Sequence, residues 1–242
     1  MEERIKLYEG KSKIVFSGPD ENTYVLYFKD DATAFNAQKK GSFEDKGMLN
    51  NLISSILLQK ISKWVPTHYI DRISPREQLV KKVKIVPIEV VFRNIAAGSF
   101  LKRLPFKEGD DLTANGQPLI EFFYKDDGLG DPPIAEGHIL HFGWMDPKEL
   151  LEIKQFTQDA VKILRGIFEP HGIIVVDGKF EFGRDETGKL ILSDDICPDG
   201  LRLWKLYDDG SHTSLDKDLF RKGLGGETDA YRQIADIVSK LP

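Results

Sequence analysis

The segment that most constrains the fold of this chain lies near residue 180, where polar and apolar side chains alternate. Residues 179–183 read Lys-Phe-Glu-Phe-Gly, residues 185–188 are the turn formers Asp-Glu-Thr-Gly, and a second strand-like run follows at 189–193. A period of two is typical of a strand with one buried face. Two such runs around a short turn predict an antiparallel hairpin, and therefore a sheet with a core on one side.

A four-residue loop in this hairpin would set the register of its two strands. Glu181 would then face Leu192, and Lys179 would face Asp194. Because side chains alternate, Lys179, Glu181 and Asp194 would share the polar face, which Asp177 can join. The residues expected on the core face are all apolar: Phe180, Phe182 and Ile191.

This register predicts a metal site. Glu181 and Asp194 would be diagonal neighbours, about 7–8 Å apart at the backbone. Mg²⁺ prefers one or two carboxylates together with waters and substrate phosphates. The alternative is a solvated strand face with an ordinary pair between Lys179 and Asp194. A loop with an odd number of residues would move one strand's side chains to the other face, so the register is a test of the site.

A phosphate-binding candidate lies near the N-terminus, at Gly10, Lys11, Ser12 and Lys13. Glycine lets a backbone approach phosphate oxygens, and lysine supplies a point charge. At a spacing of two in a strand, both lysines would point to one face. The alternative is a solvated strand edge whose lysines oppose aggregation. A P-loop is excluded because Ile5 stands where that motif needs glycine, and the dinucleotide fingerprint and kinase triplets are also absent.

The order of elements predicts an α+β fold. The opening of the chain reads as a β-meander, with 13–17 pairing with 23–29. Residues 49–64 carry one apolar stripe and predict a helix, a second helix begins after Asp146 with Pro147 and Glu149, and a third covers about 228–241. Strands, then a helix, then mixed elements differ from a regular βαβ winding.

Pro87 separates two strand-like segments, 79–84 and 88–92, and is a plausible hinge. We therefore expect a β-rich N-terminal lobe at 1–86 and a larger mixed lobe at 87–242.

Composition narrows the function classes. The formal net charge of −5 argues against a general nucleic-acid binder but is compatible with small anionic substrates. A single cysteine, Cys197, leaves no partner for a disulfide within the chain and fits a reducing compartment. No apolar run reaches about 18 residues, so we expect no membrane span and a cytoplasmic protein.

Eight motifs in sequence order resemble the succinocarboxamide synthase (SAICAR synthetase) family and extend over nearly the whole chain. They are LYEGKSK (7–13), DDATAFNAQKK (30–40), KGMLNN (46–51), VPIEVVFRNIAAGSF (86–100), IEFFYKDD (120–127), VDGKFEFG (176–183), SDDICPDGLRLW (193–204) and LDKDLFRKGLG (215–225). The resemblance implies a two-lobed, ATP-grasp-like α+β fold. It also implies a ligase that uses ATP to phosphorylate an imidazole ribonucleotide carboxylate, after which the aspartate amine displaces phosphate. Its partners would be these small molecules and Mg²⁺, in a homodimer or higher homo-oligomer.

The resemblance also implies roles for individual residues. ATP contacts are expected at Gly10, Lys11, Ser12, Lys13, Lys81, Val86 and Lys125. The metal ligands are expected to be Glu181 and Asp194. The ribonucleotide is expected at Glu89, Arg93, Ser99, Lys179 and Arg202. The catalytic residues are expected to be Lys179 and Asp177, with Asp177 as a possible proton acceptor. Two positions depart from the family's usual residues: Gly178 replaces an aromatic residue, and Cys197 replaces serine.

Two other classes share parts of this pattern. A kinase-like phosphotransferase would also combine a β-rich lobe, a hinge and a metal-binding lobe, but the kinase triplets are absent. A catalytically silent nucleotide-binding module is the other alternative. The charged set Lys11, Lys13, Glu181 and Asp194 favours an enzyme over it.

Overall fold

Antiparallel sheets form the framework of the computed structural model, which describes residues 4–34 and 39–242. In chain order the elements are β1 (Lys6–Glu9), β2 (Lys13–Ser17), β3 (Thr23–Phe28), β4 (Asp31–Ala34), β5 (Lys39–Ser42), α1 (Lys46–Ile61), β6 (Tyr69–Ser74), β7 (Glu77–Lys81), β8 (Lys84–Arg93), β9 (Leu119–Tyr124), β10 (Pro133–Ile134), α2 (Glu136–His141), α3 (Pro147–Phe168), β11 (Ile173–Arg184), β12 (Leu190–Ser193), β13 (Leu201–Leu206), β14 (His212–Ser214), α4 (Asp218–Lys222) and α5 (Glu227–Ser239). This mixture of antiparallel sheets and separate helices confirms the predicted α+β class. Part of the DDATAFNAQKK motif, residues 35–38, lies outside the described residues.

The N-terminal sheet has five strands in the order β1-β2-β3-β7-β6. The predicted meander is confirmed, with Lys13 opposite Phe28 and Ser17 opposite Tyr24. One face of this sheet is apolar, and Leu26, Phe28 and Val80 pack together there.

The larger sheet has the order β10-β9-β8-β11-β13-β14, and β12 pairs with β11 beyond this path. Strand β11 lies at its centre, and its side chains Phe180 and Phe182 are buried in the main core. Helices α1, α3 and α5 contribute to the same core, and α1 packs directly against α5. The first helix therefore packs on elements from both halves of the chain. Among the described residues, no helix is both long and apolar enough to cross a membrane.

Pro87 does not separate two strands, as the sequence predicted, but lies inside β8. Glu89 is opposite Glu181 and Ile85 is opposite Gly183, so β8 has extra residues between these pairs. A bulge of this kind tolerates proline, which has no N–H to donate to the ladder. The two large sheets are connected instead at residues 82–83. The division into lobes at 1–86 and 87–242 stays a prediction.

The helices follow the predicted patterns closely. The helix predicted at 49–64 is observed as α1, which starts three residues earlier and ends three residues earlier. The capping prediction for α3 is confirmed, since the Asp146 carboxylate accepts a hydrogen bond from the Glu149 N–H and Glu149 accepts one from Asp146. Glu149 also binds the guanidinium of Arg184, at 2.6 and 2.7 Å, and so connects α3 to the end of β11.

The β11–β12 hairpin forms, but its register differs by one residue from the prediction. Glu181 is opposite Ser193, and Phe182 is opposite Leu192. The loop contains five residues, 185–189, because the Asp185 carboxylate accepts the N–H of Lys189 at 3.0 Å and holds that residue in the turn. Two leucines rather than Ile191 therefore join the phenylalanines in the main core: Leu190 and Leu192.

Gly47 provides a test of how α1 is positioned. A Cβ at this residue would lie 2.3 Å from the carbonyl oxygen of Phe28, whereas a Cβ at Gly166, in α3, would meet nothing within 4 Å. Alanine is the better helix former at both positions, so the close contacts of Gly47 with the Phe28 carbonyl and the Arg76 guanidinium distinguish them. We expect Gly47→Ala to lower the free energy of unfolding by about 1–3 kcal/mol, and Gly166→Ala to leave it unchanged or raise it by up to about 1 kcal/mol. Denaturant unfolding measures both, and equal effects would contradict the close packing of α1 on β3.

Candidate active site

A cavity of 230 Å³ opens beside β8, β11 and β13. All five residues that the family resemblance implies for the ribonucleotide contribute to its lining: Glu89, Arg93, Ser99, Lys179 and Arg202. Asp177, expected to be catalytic, also lines it. The structure therefore brings together residues that are distant in the sequence: Glu89 and Arg202 are 113 positions apart.

A larger cavity, of 440 Å³, lies along the solvent side of α5. Its lining mixes acidic and basic side chains, including Lys205, Asp229, Arg232 and Asp236. No predicted site residue lines it. The smaller cavity is the candidate active site because buried ion pairs are concentrated there.

Asp177 joins two arginines at the floor of the smaller cavity. Its Oδ2 accepts hydrogen bonds from Arg93 Nη1 at 2.9 Å and from Arg202 Nη1 at 2.5 Å. Arg93 is held further by Glu121, whose Oε2 lies 2.5 Å from Nε. Burial raises the pKa of Asp177, although Arg202 and Arg93 act in the opposite direction. The arrangement makes Asp177 a positioning group for two guanidinium groups, and its role as proton acceptor stays a prediction.

The corner between these arginines and Gly98 is suited to an anion. Arg93 Nη2 donates to Ser99 Oγ at 3.5 Å and makes no other hydrogen bond within the described part of the chain. Gly98 has a φ of +56°, and a Cβ there would lie 2.7 Å from Arg202 Nη2. Glycine therefore allows the Arg202 guanidinium to approach the backbone closely. The fork of donors and the Ser99 hydroxyl match the oxygens of a phosphate.

Lysines and carboxylates alternate next to the cavity, which Glu89 and Lys179 line. Lys179 Nζ donates to Glu89 at 2.7 Å and to Glu181 at 2.8 Å, while Lys125 Nζ donates to Glu181 at 2.8 Å. Burial alone would lower the pKa of Lys179, but Glu181, Asp194 and Glu89 outweigh burial and raise it. Lys179 is therefore an ammonium at neutral pH and a stabiliser of negative charge rather than a base.

Asp194 reaches this cluster by a different path from the one predicted. The observed register alone would turn it to the other face, but its backbone is left-handed, with a φ of +65°, and the strand ends there. Its carboxylate binds Lys13 and is among the charges that raise the pKa of Lys179. Lys13 also binds Asp195, which the sequence analysis did not select. The two predicted metal ligands therefore contact different lysines, Glu181 with Lys125 and Lys179, and Asp194 with Lys13.

Lys11 and Lys13 do not share a strand face, contrary to the prediction. Lys11 lies in the turn between β1 and β2, which is closed by a 2.8 Å hydrogen bond from the Gly10 N–H to the Lys13 carbonyl. Lys11 Nζ binds Asp127 at 2.7 Å. Both lysines nevertheless bind carboxylates from the larger sheet and its loops. Three other residues were predicted to contact ATP. Ser12 lies in the turn, Lys81 is exposed, and Val86 is buried in the core.

A buried polar centre supports the loop that carries Asp194. Lys46 Nζ, almost completely inaccessible, lies 2.5 Å from Asp199 Oδ2, and the hydroxyl of Tyr231 donates to Asp199 Oδ1 at 2.7 Å. Burial would raise the pKa of Asp199, but Lys46 and Lys217 lower it overall, so Asp199 remains charged. Since Asp199 also lines the cavity, α1 and α5 help to position the site.

Sequence reasoning missed Asp199, Asp218 and Arg221. Asp218 accepts a hydrogen bond from Arg202 Nε at 2.9 Å and one from Arg221 Nη1 at 2.6 Å. The motif that contains Asp218 and Arg221 was recognised, and their spacing of three on a helix was the signal available. Which face of α4 would meet the cavity was not readable from the sequence.

The cavity of this α+β chain has a lining suited to small anionic molecules, and the comparisons with known proteins specify the family. The family model described as SAICAR synthetase matches residues 6–238. A phosphoribosylaminoimidazole-succinocarboxamide synthase from Wolbachia pipientis subsp. Culex pipiens is 48% identical, with 96% of each chain covered. The crystal structure of such a synthase from Ehrlichia chaffeensis has a TM-score of 0.91 at 44% identity, covering 98% of this chain and 99% of that one. A SAICAR synthetase in complex with ADP has a TM-score of 0.89 at 38% identity, covering 97% and 98%. The chain belongs to the SAICAR synthetase family.

The buried centre leads to a stability prediction. Lys46→Met leaves the Asp199 charge buried without its main partner, and we expect a loss of about 3–5 kcal/mol in the free energy of unfolding. Tyr231→Phe keeps the ion pair and removes one hydrogen bond, so we expect a loss of about 0.5–1.5 kcal/mol. Urea unfolding compares the two variants. A smaller loss for Lys46→Met than for Tyr231→Phe would contradict the assigned pairing.

Proposed function

We propose that this chain is an ATP-dependent ligase of de novo purine biosynthesis. It joins L-aspartate to 5-amino-1-(5-phospho-D-ribosyl)imidazole-4-carboxylate and releases the succinocarboxamide, ADP and phosphate. Family membership and the names of the relatives support this reaction. The observation that carries it is the convergence of the five expected ribonucleotide residues on one cavity, beside the lysine–carboxylate cluster.

The ribonucleotide phosphate binds at the corner formed by Arg93, Ser99 and Arg202. Each arginine has one edge held by Asp177, so its remaining donors are oriented before the ligand arrives. Preorganised donors lower the entropic cost of binding. The imidazole carboxylate then extends towards Glu89 and Lys179, on the opposite side of the same cavity.

The nucleotide phosphates bind at Lys11, Lys13 and Lys125, near the glycine-containing turn at Gly10. These three ammonium groups bind carboxylates in this structure, namely Asp127, Asp194 with Asp195, and Glu181. The family's complex with ADP supports a nucleotide site. Lys81 and Val86 are proposed to border the adenine.

The carboxylates Glu181 and Asp194 fit a Mg²⁺ ion by their chemistry. Both are hard oxygen donors, and cationic ammonium groups already lie against them in this structure. No group of three or more potential ligand side chains surrounds a common point in the described part of the chain. Two carboxylates completed by waters and nucleotide phosphates are the usual arrangement for this ion. When bound, Mg²⁺ would neutralise phosphate charge.

The reaction proceeds by two displacements. The γ-phosphoryl group passes from ATP to a carboxylate oxygen of the ribonucleotide, giving an acyl phosphate and ADP. The aspartate amine then attacks the acyl carbon, the C–N bond forms, the C–O bond to phosphate breaks, and one proton leaves the amine. Lys179 stays protonated throughout and stabilises the negative charge that develops at the carboxylate. Phosphoryl transfer depends mainly on such positioning and charge neutralisation.

Three broader features are also proposed on the family resemblance: an ATP-grasp-like, two-lobed architecture with lobes 1–86 and 87–242, assembly as a homodimer or higher homo-oligomer, and a cytoplasmic location.

An aspartate-dependent assay tests the function. We expect purified protein to release ADP only when Mg²⁺, the carboxyaminoimidazole ribonucleotide and L-aspartate are all present, with one amide formed per ADP. A coupled ADP assay with product detection by mass spectrometry measures both. ADP release that ignores aspartate would indicate a phosphotransferase, and no release under any condition would indicate a silent binding module.

The metal assignment is tested by Asp194→Asn, which keeps the side chain's size and removes its charge. We expect activity to be lost at limiting Mg²⁺, and calorimetry to show that Mg²⁺ no longer strengthens ADP binding. Asp185→Asn, in the loop of the same hairpin, is the matched control and should behave like wild type because its acceptor oxygen is kept. Wild-type Mg²⁺ dependence in Asp194→Asn would show that Asp194 is not a ligand.

A further inference from the structure

Three guanidinium groups line the cavity in a row, separated by two carboxylates. Arg93 and Arg202 share Asp177, and Arg202 and Arg221 share Asp218. All three arginines line the cavity. The proposed phosphate corner uses only the first two, so Arg221 is a third cation in the cavity wall to which neither the family resemblance nor the proposed function gives a role.

Arg221 is held at one edge and open at the other. Its Nη1 donates to Asp218 Oδ1 at 2.6 Å, and its other donors have no partner among the described residues. Asp218 is itself fixed, since its N–H donates at 2.7 Å to Asp216, which also accepts the N–H of Leu203 at 2.8 Å. The Asp218 carboxylate thus orients the guanidinium of Arg221, which lines the cavity and keeps donors for a ligand. A guanidinium oriented in this way is suited to binding an anion.

Lys217 is a second cation next to Arg221, although it does not itself line the cavity. It lies one helical turn before Arg221, and the Arg221 N–H donates to its carbonyl at 3.0 Å. Its ammonium is half-buried, yet within residues 4–34 and 39–242 it makes no hydrogen bond or ion pair. Burial lowers its pKa, partly offset by Asp199 in the cavity wall. A partly buried cation without a counterion is costly, and a bound anion would remove that cost.

The three substrates of the proposed ligase carry distinct anions. The nucleotide phosphates belong with Lys11, Lys13 and Lys125, and the ribonucleotide phosphate with Arg93, Ser99 and Arg202. The dicarboxylate is left, and Arg221 lines the same cavity without a role in binding either phosphate. We propose that Arg221, aimed by Asp218 and assisted by Lys217, binds a carboxylate of the amino-acid substrate. This inference rests on the proposed function and adds the part of the site that recognises aspartate.

Steady-state kinetics of Arg221→Gln test this proposal. We expect the KM for L-aspartate to rise about 10- to 100-fold, the usual effect of losing a hydrogen-bonded charge. The KM for ATP should change by less than about threefold, because other residues bind its phosphates. The KM for the ribonucleotide should rise by a smaller factor than that for aspartate, since Arg202 keeps Asp177 and Asp218 as partners when Arg221 is replaced. Lys217→Gln should raise the same constant for aspartate by a smaller factor. Arg232→Gln is the matched control, since Arg232 is an exposed arginine that binds Asp45 and does not line this cavity.

Succinate can report on binding at the aspartate site without itself reacting. It keeps both carboxylates and lacks the amine, so it should compete with aspartate in wild type and bind at least about tenfold more weakly to Arg221→Gln. Arg221→Lys should recover part of the loss because it restores the charge. A raised KM for the ribonucleotide instead of aspartate, or unchanged constants in both Arg221→Gln and Lys217→Gln, would overturn the proposal. Wild-type protein without aspartate-dependent turnover would refute the proposed function instead, so the two failures are distinguishable.

Discussion

The neutralisation of buried charges along β11 is the constraint on which the rest of the structure depends. One face of this strand carries Asp177, Lys179 and Glu181, and the other carries two buried phenylalanines. An unpaired charge at such depth costs several kcal/mol. Strand β8 supplies Arg93 and Glu89 to these charges, and the neighbouring strand β13 supplies Arg202. The register of three strands therefore has to satisfy the ion pairs and the apolar core at once.

The same ion pairs determine what ligand binding can contribute. Each lysine proposed to bind the nucleotide phosphates forms an ion pair with a carboxylate. Asp194 and Glu181, the proposed metal ligands, likewise form ion pairs with lysines. Binding of ATP with Mg²⁺ is then an exchange of ionic partners rather than the creation of new ones. Such an exchange keeps every charge compensated before and after binding, so its net free energy is smaller than the sum of the new contacts.

Local signals were readable from the sequence, and signals that depend on tertiary packing were not. The start of α3 depends on Asp146 and Glu149, three residues apart, and was predicted correctly. The hairpin register depended on whether Lys189 belongs to the strand or the loop, and several hydrogen bonds of Asp185 hold Lys189 in the loop. The predicted facing pair of Lys179 and Asp194 is not formed, although Asp194 lies near enough to raise the pKa of Lys179 from a left-handed position beyond the shifted strand. Arg221 was missed because its role depends on how α4 meets the cavity.

Gly178 and Cys197, the two positions at which the resemblance implies other residues, lie beside the charged set of the site. A Cβ at Gly178 would lie 2.6 Å from Leu201 and 2.7 Å from Phe92, so these side chains occupy the space beside the strand. Cys197 lies 2.6 Å from the Asp195 carboxylate, and burial raises the pKa of its thiol to about 12. The thiol therefore stays protonated and donates to Asp195, as a serine hydroxyl would. Because Asp195 binds Lys13, Cys197 helps to position the ion pair of Asp195 with Lys13. A buried, protonated thiol of this kind is not a nucleophile.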